Sequence, residues 1–128
     1  MPGRVLLDTN IIIAFFAAEK AVTEHVTESV IFVSSTVLGE LHYGARKSAQ
    51  AAANQARIEE FAASVTILSC DAETARRYGQ IKDRLRLKGQ PIPENDIWIA
   101  ACALQYGLFL ATRDDHFRGV DGLRIETW

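Results

Sequence analysis

Cysteine is scarce in this chain of 128 residues: Cys70 and Cys102 lie far apart, and neither belongs to a Cys-x-x-Cys pair. A small secreted domain that depends on disulfides needs several cysteines at close spacing. The sequence therefore argues against that class of protein. We predict that both thiols are reduced and lie in the core.

Long apolar runs are also missing. The run at residues 11–18 has only eight residues, which is too short to cross a bilayer. Arg4 and the apolar residues after it resemble the start of a secretory signal, but Asp8, Thr9 and Asn10 interrupt the stretch. We therefore expect a cytoplasmic protein that does not associate with membranes.

Neither sign of charge is in large excess, because 14 Lys and Arg stand against 16 Asp and Glu. The net charge of −2 argues against a protein held on nucleic acid by bulk charge alone, although it is compatible with a local basic surface. Proline is rare, at three residues, and 48% of the chain is hydrophobic. This composition and length predict one globular domain, residues 1–128, with one core.

Apolar, strand-favouring runs alternate with helical patterns along the chain. We predict strands at residues 5–7, 30–33, 65–68 and 108–111, and a fifth at 123–125. Helices are expected to start at the capping residues Thr9 or Asn10, Ser34 to Thr36, Asp71 and Asn95, with a further helix over about 48–63. The alternation predicts an α/β fold with a mostly parallel sheet of four to five strands, covered by helices on both faces.

Four acidic residues stand where these elements begin or end. Asp8 follows the first strand, Glu40 lies early in the helix after the second strand, and Asp114 follows the fourth strand. Ligands of open parallel sheets bind beyond the carboxyl ends of the strands, so these three acids are expected at one edge. Asp96 begins the helix that leads into the fourth strand, and we expect its start at the same edge. We call these residues the four acids.

Gathering four carboxylates is costly without a cation, because two carboxylates about 4 Å apart repel by roughly 4 kcal/mol at an effective dielectric of 20. Asp8 is the clearest case, since it is wedged between two apolar segments where a lone charge is expensive to desolvate. Taken singly, Asp96 and Asp114 also suit caps or turns, and Glu40 suits a solvated helix face. Their joint placement favours a metal site. Oxygen ligands without cysteine or a histidine set favour Mg2+ or Mn2+ over zinc, and such an ion suits phosphodiester hydrolysis.

Four segments carry a resemblance to a known family: LLDTN at 6–10, SSTVLGELHYGA at 34–45, PENDIWIAA at 93–101 and LATRD at 110–114. In this order and at these separations they resemble the PIN-domain ribonucleases, and more narrowly the VapC toxins of bacterial and archaeal VapBC toxin–antitoxin pairs. The resemblance runs nearly from end to end, and it implies a PIN-like α/β/α sandwich.

The resemblance also implies a function. It implies an endoribonuclease in which the four acids hold one or two Mg2+ or Mn2+ ions and water is the nucleophile. RNA would be the substrate, and the products would carry a 5'-phosphate and a 3'-hydroxyl. A homodimer and a silencing VapB-type antitoxin are implied as well. Thr112 matches a hydroxyl position beside the acids, and Thr9 and Asn10 are expected to support them.

Asp115 and His116 follow Asp114 directly, and each could also belong to the metal site. Asp115 is adjacent, and we expect only one of the pair to face the metal. The pattern Thr112-x-Asp114 favours Asp114 and leaves Asp115 as an outer support. His116 follows in what we expect to be an exposed loop, and we assign no catalytic role to it or to the other two histidines.

Six of the 14 basic residues lie between positions 76 and 88: Arg76, Arg77, Lys82, Arg84, Arg86 and Lys88. We call these six the basic stretch. One interpretation is a surface that draws an RNA backbone towards the acids. The other is a solvated helix face, with Glu73 and Arg77 spaced to pair along the helix.

Two other functions compete with a nuclease. A phosphatase with Asp8 as an aspartyl nucleophile would carry a second aspartate two residues later, where this chain has Asn10. A non-catalytic PIN-like binding module would have lost its metal, whereas all four acids are present here.

Overall fold

The computed structural model describes residues 2–128, and across that range strands and helices alternate in the predicted order. The strands are β1 (Arg4–Leu7), β2 (Val30–Ser34), β3 (Thr66–Leu68), β4 (Phe109–Ala111) and β5 (Ile125–Glu126). The helices are α1 (Thr9–Phe16), α2 (Lys20–Glu28), α3 (Ser35–Lys47), α4 (Ala51–Ala63), α5 (Ala72–Leu87) and α6 (Glu94–Tyr106). A 3₁₀ turn covers Asp115–Gly119.

The strands form one parallel sheet in the order β3-β2-β1-β4-β5, which confirms the predicted α/β class. From β1 the chain builds outwards to β2 and β3, and then returns to place β4 and β5 on the other side of β1. Because crossovers between parallel strands are right-handed, the two directions put helices on opposite faces of the sheet. The direction reverses between β1 and β4, and open α/β sheets bind ligands at such a point.

The centre of the sheet is apolar because helices cover both of its faces. Leu6, Leu7, Val33 and Leu110 are all 0% exposed. The pairing of β1 with β4 runs through this core, so the ends of the two strands are held in a fixed register. A rigid strand end is a good support for a functional side chain.

Several helix starts differ from the predictions by one to three residues. Asp8 itself caps α1, so the prediction of Thr9 or Asn10 is wrong. The cap of α6 is Pro93 rather than Asn95, whereas Asp71 caps α5 as predicted. Within residues 2–128, no helix has both the length and the apolar character needed to cross a membrane.

The break between α3 and α4 falls later than predicted. The Ser48 hydroxyl donates to the carbonyl of Ala45 at 2.7 Å and helps to end α3, so α4 begins at Ala51. The fifth strand is also displaced from 123–125 to Ile125–Glu126.

The two cysteines have different environments. Cys102 is buried in α6, as predicted, but Cys70 is exposed, so its placement in the core is wrong. Cys70 lies in the connection between β3 and α5, and connections run over the surface because their backbone polar groups need water. Both thiols are free.

Candidate metal centre

The strand register brings the first acid to the reversal point of the sheet. Leu7 of β1 pairs with Ala111 of β4, so the next residues, Asp8 and Thr112, leave the sheet side by side. The Asp8 amide donates to the Ala111 carbonyl at 2.9 Å, which extends the register by one residue. The structure therefore places Asp8 at the carboxyl edge, as the topology argument predicts.

Asp8 is the most buried of the four acids, at 5% exposed. Its Oδ1 accepts a hydrogen bond from the Thr9 amide at 2.8 Å, and its Oδ2 accepts one from the Thr112 hydroxyl at 2.6 Å. Burial raises the pKa of the Asp8 carboxyl. The two hydrogen bonds lower this pKa, and the charges of Asp96 and Glu40 raise it, so that the net shift is upwards. An ionised carboxylate in this environment is unfavourable, and a cation would offset the cost.

Glu40 reaches the same region from the second turn of α3. Ser34 ends β2 and caps α3 by accepting from the Val37 amide at 3.2 Å, which fixes where that helix starts. The Glu40 Oε1 accepts a hydrogen bond from the Thr9 hydroxyl at 2.7 Å. Thr9 therefore connects two acids, because its amide binds Asp8 and its hydroxyl binds Glu40.

Asp96 lies in the first turn of α6 and faces the loop that follows β4. Its Oδ2 is 3.1 Å from the His116 Nδ1, and the Asp114 Oδ1 is 3.0 Å from the same nitrogen. One ligand atom from each of these three residues lies within 4.8 Å of the others. Burial raises the pKa of the Asp96 carboxyl, the hydrogen bond from His116 lowers it, and the charges of Asp114 and Glu40 raise it further.

Thr112 organises the loop that carries Asp114. It is 1% exposed, and its hydroxyl donates to Asp8 while accepting from the Asp114 amide at 3.0 Å. The Asn10 side chain accepts from the Arg113 amide at 3.3 Å, which ties the start of α1 to the same loop. Thr9 and Thr112 therefore contact the acids directly, whereas Asn10 contacts only the backbone of the loop that carries Asp114, and its support of the acids stays a prediction.

The structure places Asp114, and not Asp115, among the acids. Asp114 caps the 3₁₀ turn by accepting from the His116 amide at 3.0 Å, and the turn directs consecutive side chains apart. The Asp115 side chain is 89% exposed and pairs with Arg118 at 3.0 Å, so no contact with the acids supports its predicted role as an outer support.

His116 is the residue of this site that sequence reasoning did not assign. Its side chain is 51% exposed, as expected of a loop, yet it contacts both Asp96 and Asp114. The available signal was its position two residues after Asp114. A loop pattern alone does not give the direction of a side chain, so the contact could not be predicted.

The basic stretch is largely paired with carboxylates. Arg76 and Arg77 pair with Glu73, Lys82 with Glu94, Arg86 with Asp83, and Lys88 with Asp121. The α5 surface is therefore less positive than the count of basic residues indicates. A role for the basic stretch in binding RNA stays a prediction.

The donor set fits a hard divalent cation. Asp96 and Asp114 have ligand atoms within 4.8 Å of each other, and Asp8 and Glu40 lie close enough for their charges to act on this group. The pKa values of Asp8 and Asp96 are raised because burial and like charges oppose ionisation. Oxygen donors of this kind suit Mg2+ or Mn2+. The site lies at the reversal of strand order, where open α/β sheets bind ligands.

Comparisons with known proteins identify relatives that are similar in sequence and in fold. The family model of the PIN domain matches residues 5–123. Ribonuclease VapC2 of Haemophilus influenzae is 37% identical over 131 aligned positions, which cover 98% of each chain. The tRNA(fMet)-specific endonuclease VapC of Shigella flexneri is 36% identical over 129 positions, with 98% of each chain covered. Among solved structures, DNA-bound VapBC from Salmonella typhimurium has a TM-score of 0.92 at 33% identity, covering 100% of this chain and 99% of that chain.

Proposed function

This chain belongs to the PIN domain family, among the VapC ribonucleases, and from that premise we propose that it is a divalent-metal-dependent endoribonuclease, the toxin of a VapBC-type pair. The observation that carries the proposal is the convergence of the four acids at the reversal point of the sheet, with Asp8 buried among like charges. The similarity to VapBC complexes supports the role as a toxin.

We assign Asp8, Asp96 and Asp114 to hold the ion. A bound Mg2+ or Mn2+ supplies contacts to phosphate oxygens, lowers the pKa of a water molecule and offsets the charge that develops during in-line displacement. Thr112 fixes both Asp8 and Asp114 through one hydroxyl, so the two carboxylates keep their relative position. Thr9 holds the Glu40 Oε1, and we assign the other oxygen of Glu40 to orient the attacking water.

The competing functions receive less support. Asn10 binds the Arg113 amide, so it has a supporting contact at the position where the phosphatase pattern requires an acid. In a binding module without a metal, no cation would offset the cost of ionising Asp8, which is buried, and Asp96, whose side chain is 13% exposed. RNA cleavage separates the nuclease from the non-catalytic module, and only a phospho-aspartate trapped at Asp8 would revive the phosphatase.

The test is RNA cleavage by the wild-type chain with Mn2+, with EDTA, and after Mn2+ is restored. Asp96→Asn is the site variant, and Asp115→Asn is the matched control, since it makes the same chemical change at an exposed side chain. Initiator tRNA is the first substrate to try, because the relative from Shigella flexneri bears the name tRNA(fMet)-specific endonuclease. The products are expected to carry a 5'-phosphate and a 3'-hydroxyl.

We expect cleavage by the wild type and by Asp115→Asn in Mn2+. We expect loss of cleavage in Asp96→Asn and in EDTA, with recovery when Mn2+ returns. Equal cleavage under all conditions would end the metal-nuclease proposal. Binding of the RNA without cleavage in any condition would favour the non-catalytic module.

A VapB-type antitoxin is the partner we propose, because VapBC complexes are structural neighbours of this chain. A groove of about 420 Å³ begins at Thr9 and Glu40 and continues along α1, α3 and α4. Ile13 lines it and is 56% exposed, as expected of an apolar residue that a partner covers. A segment that occupies this groove would end beside the acids. Since the RNA substrate and the antitoxin are both intracellular, we place the activity in the cytoplasm.

The antitoxin proposal is tested with the product of a small open reading frame directly upstream, if it encodes such a partner. Ile13→Asp should weaken the complex at least tenfold, whereas Leu87→Asp, at a 69% exposed residue outside the groove, should not. Equal binding by both variants would remove this groove from the proposal. Sedimentation of the isolated chain tests the predicted homodimer.

A further inference from the structure

His116 has no role in the function proposed above, yet its position is fixed. Its amide donates to Asp114, and the next residue, Phe117, is 0% exposed and anchors the 3₁₀ turn in the core. The imidazole is therefore held beside Asp96 and Asp114 rather than left free in a loop. Its Nδ1 is 3.1 Å from the Asp96 Oδ2 and 3.0 Å from the Asp114 Oδ1.

We propose that the His116 Nδ1 is a nitrogen ligand of the ion held by Asp96 and Asp114, and that it shifts the preference of the site from Mg2+ towards Mn2+ and later first-row ions. The inference rests on the proposed metal-dependent function and adds a ligand to it. It also assigns a selectivity to the site.

The spacing of the three ligand atoms supports this assignment. Adjacent ligands of an octahedral ion with bonds of about 2.1 Å lie about 3.0 Å apart. The two distances from the His116 Nδ1 have this value, and all three atoms lie within 4.8 Å of one another. In the coordinated arrangement the Nδ1 proton is released, the remaining ring proton is on Nε2, and the ion takes the place of the hydrogen bonds between Nδ1 and the two carboxylates.

The charge of the site favours a neutral ligand as well. Four ionised carboxylates carry more negative charge than one divalent ion offsets, so a further ligand without charge adds affinity without adding repulsion. Mg2+ takes oxygen ligands, whereas imidazole suits the transition ions and gains affinity along the series from Mn2+ to Cu2+. An imidazole in the first coordination sphere should therefore raise Mn2+ affinity more than Mg2+ affinity.

The alternative is a histidine that only orients Asp96 by a hydrogen bond. In that case loss of the histidine should weaken the binding of Mg2+ and of Mn2+ to a similar extent, because the hydrogen bond acts on an oxygen ligand that both ions use. The ratio of the two affinities therefore separates the two roles, and it needs no activity measurement.

The experiment uses the full chain without RNA. Mn2+ binding is followed by electron paramagnetic resonance of the free ion, Mg2+ is measured by competition, and pulsed resonance detects a 14N nucleus bound to Mn2+. The variant is His116→Ala. The matched control is His42→Ala, which removes a histidine two residues along α3 from Glu40, on another side of that helix. Thermal melting confirms that each variant is folded.

We expect a coordinated 14N signal in the wild type and in His42→Ala, and its loss in His116→Ala. The Mn2+ dissociation constant should rise at least about tenfold in His116→Ala, while that of Mg2+ changes less than about threefold. Mn2+ binding and RNA cleavage by the wild type without a nitrogen signal would overturn the role of His116 and leave the proposed function standing. Absence of both ion binding and cleavage in the wild type would overturn both.

Discussion

Asp96→Asn should stabilise the metal-free protein even though it removes a site residue. The reason is repulsion between carboxylates that the fold holds together. Burial and the charge of Asp114 raise the pKa of the Asp96 carboxyl, so its ionised form opposes folding at neutral and higher pH. Asparagine keeps the shape and a hydrogen-bonding group but carries no charge.

The size of this stabilisation can be estimated from the distance between the two carboxylates. The Asp96 and Asp114 ligand atoms lie within 4.8 Å, where two unit charges repel by about 3.5 kcal/mol at an effective dielectric of 20. The side chains are 13% and 31% exposed, so water screens part of this energy and we expect a net gain of about 1–2 kcal/mol. For a chain of 128 residues that corresponds to a rise in Tm of about 3–8 °C.

His116 makes the stabilisation by Asp96→Asn depend on pH. The hydrogen bond to Asp96 raises the pKa of the imidazole, so its charged form stabilises the wild type below the ordinary pKa and this stabilisation is lost as pH rises through the raised value. Asp96→Asn loses the attraction between His116 and Asp96, while the attraction between His116 and Asp114 remains. The difference in free energy of unfolding between Asp96→Asn and the wild type should therefore be larger at pH 9 than at pH 6.

The assay is thermal melting in EDTA at low salt, at pH 6 and pH 9, with Asp115→Asn as the control. The control should stay within about 0.5 kcal/mol of the wild type, because its side chain is 89% exposed. Mn2+ at 100 times its Kd should then stabilise the wild type by about 2.7 kcal/mol and Asp96→Asn by much less, which reverses the order of the two proteins. A metal-free Asp96→Asn that melts at or below the wild type at pH 9 would refute the electrostatic reasoning.

Three further predictions concern other parts of the molecule. Thr112→Val should lower metal affinity or cleavage about 10–100-fold, because it removes the hydroxyl that fixes two acids, and Thr112→Ser should restore most of the loss. Maleimide labelling of the folded protein, measured by intact mass, should add one group per chain, at the exposed Cys70. Cys102 should not react, because burial raises the pKa of its thiol to about 12. Labelling of both cysteines would contradict the packing of α6. If Arg84 and Arg86 contact phosphates, replacing both by alanine should lower the slope of log K for RNA binding against log salt concentration by about 2. An unchanged slope would show that these two residues of the basic stretch do not contact the RNA backbone.

The acids could be predicted because chain direction alone places them. Asp8 and Asp114 follow strands that pair in parallel, so their position at one edge follows from the order of elements. Glu40 follows from the helix that leaves β2, and Asp96 from the helix that must return to the start of β4. These inferences need the direction of each element but no side-chain contact.

Other features depend on packing that the sequence does not specify. The choice of Asp114 over Asp115 is made by the 3₁₀ turn, and the position of His116 is set by the burial of Phe117 in the core. The exposure of Cys70 depends on where the chain leaves β3. Such features follow from the direction of a single turn, which residue patterns constrain weakly.

The central claim, that Asp8, Asp96 and Asp114 hold a divalent ion, is tested most directly by anomalous diffraction from a crystal of this protein soaked in Mn2+. We expect an anomalous peak at the carboxyl ends of β1 and β4, within about 2.0–2.6 Å of carboxylate oxygens of Asp8, Asp96 and Asp114. The same soak of Asp96→Asn should weaken or abolish it. A fully soaked wild-type crystal with no peak among these acids, or with its only peaks elsewhere, would contradict the account.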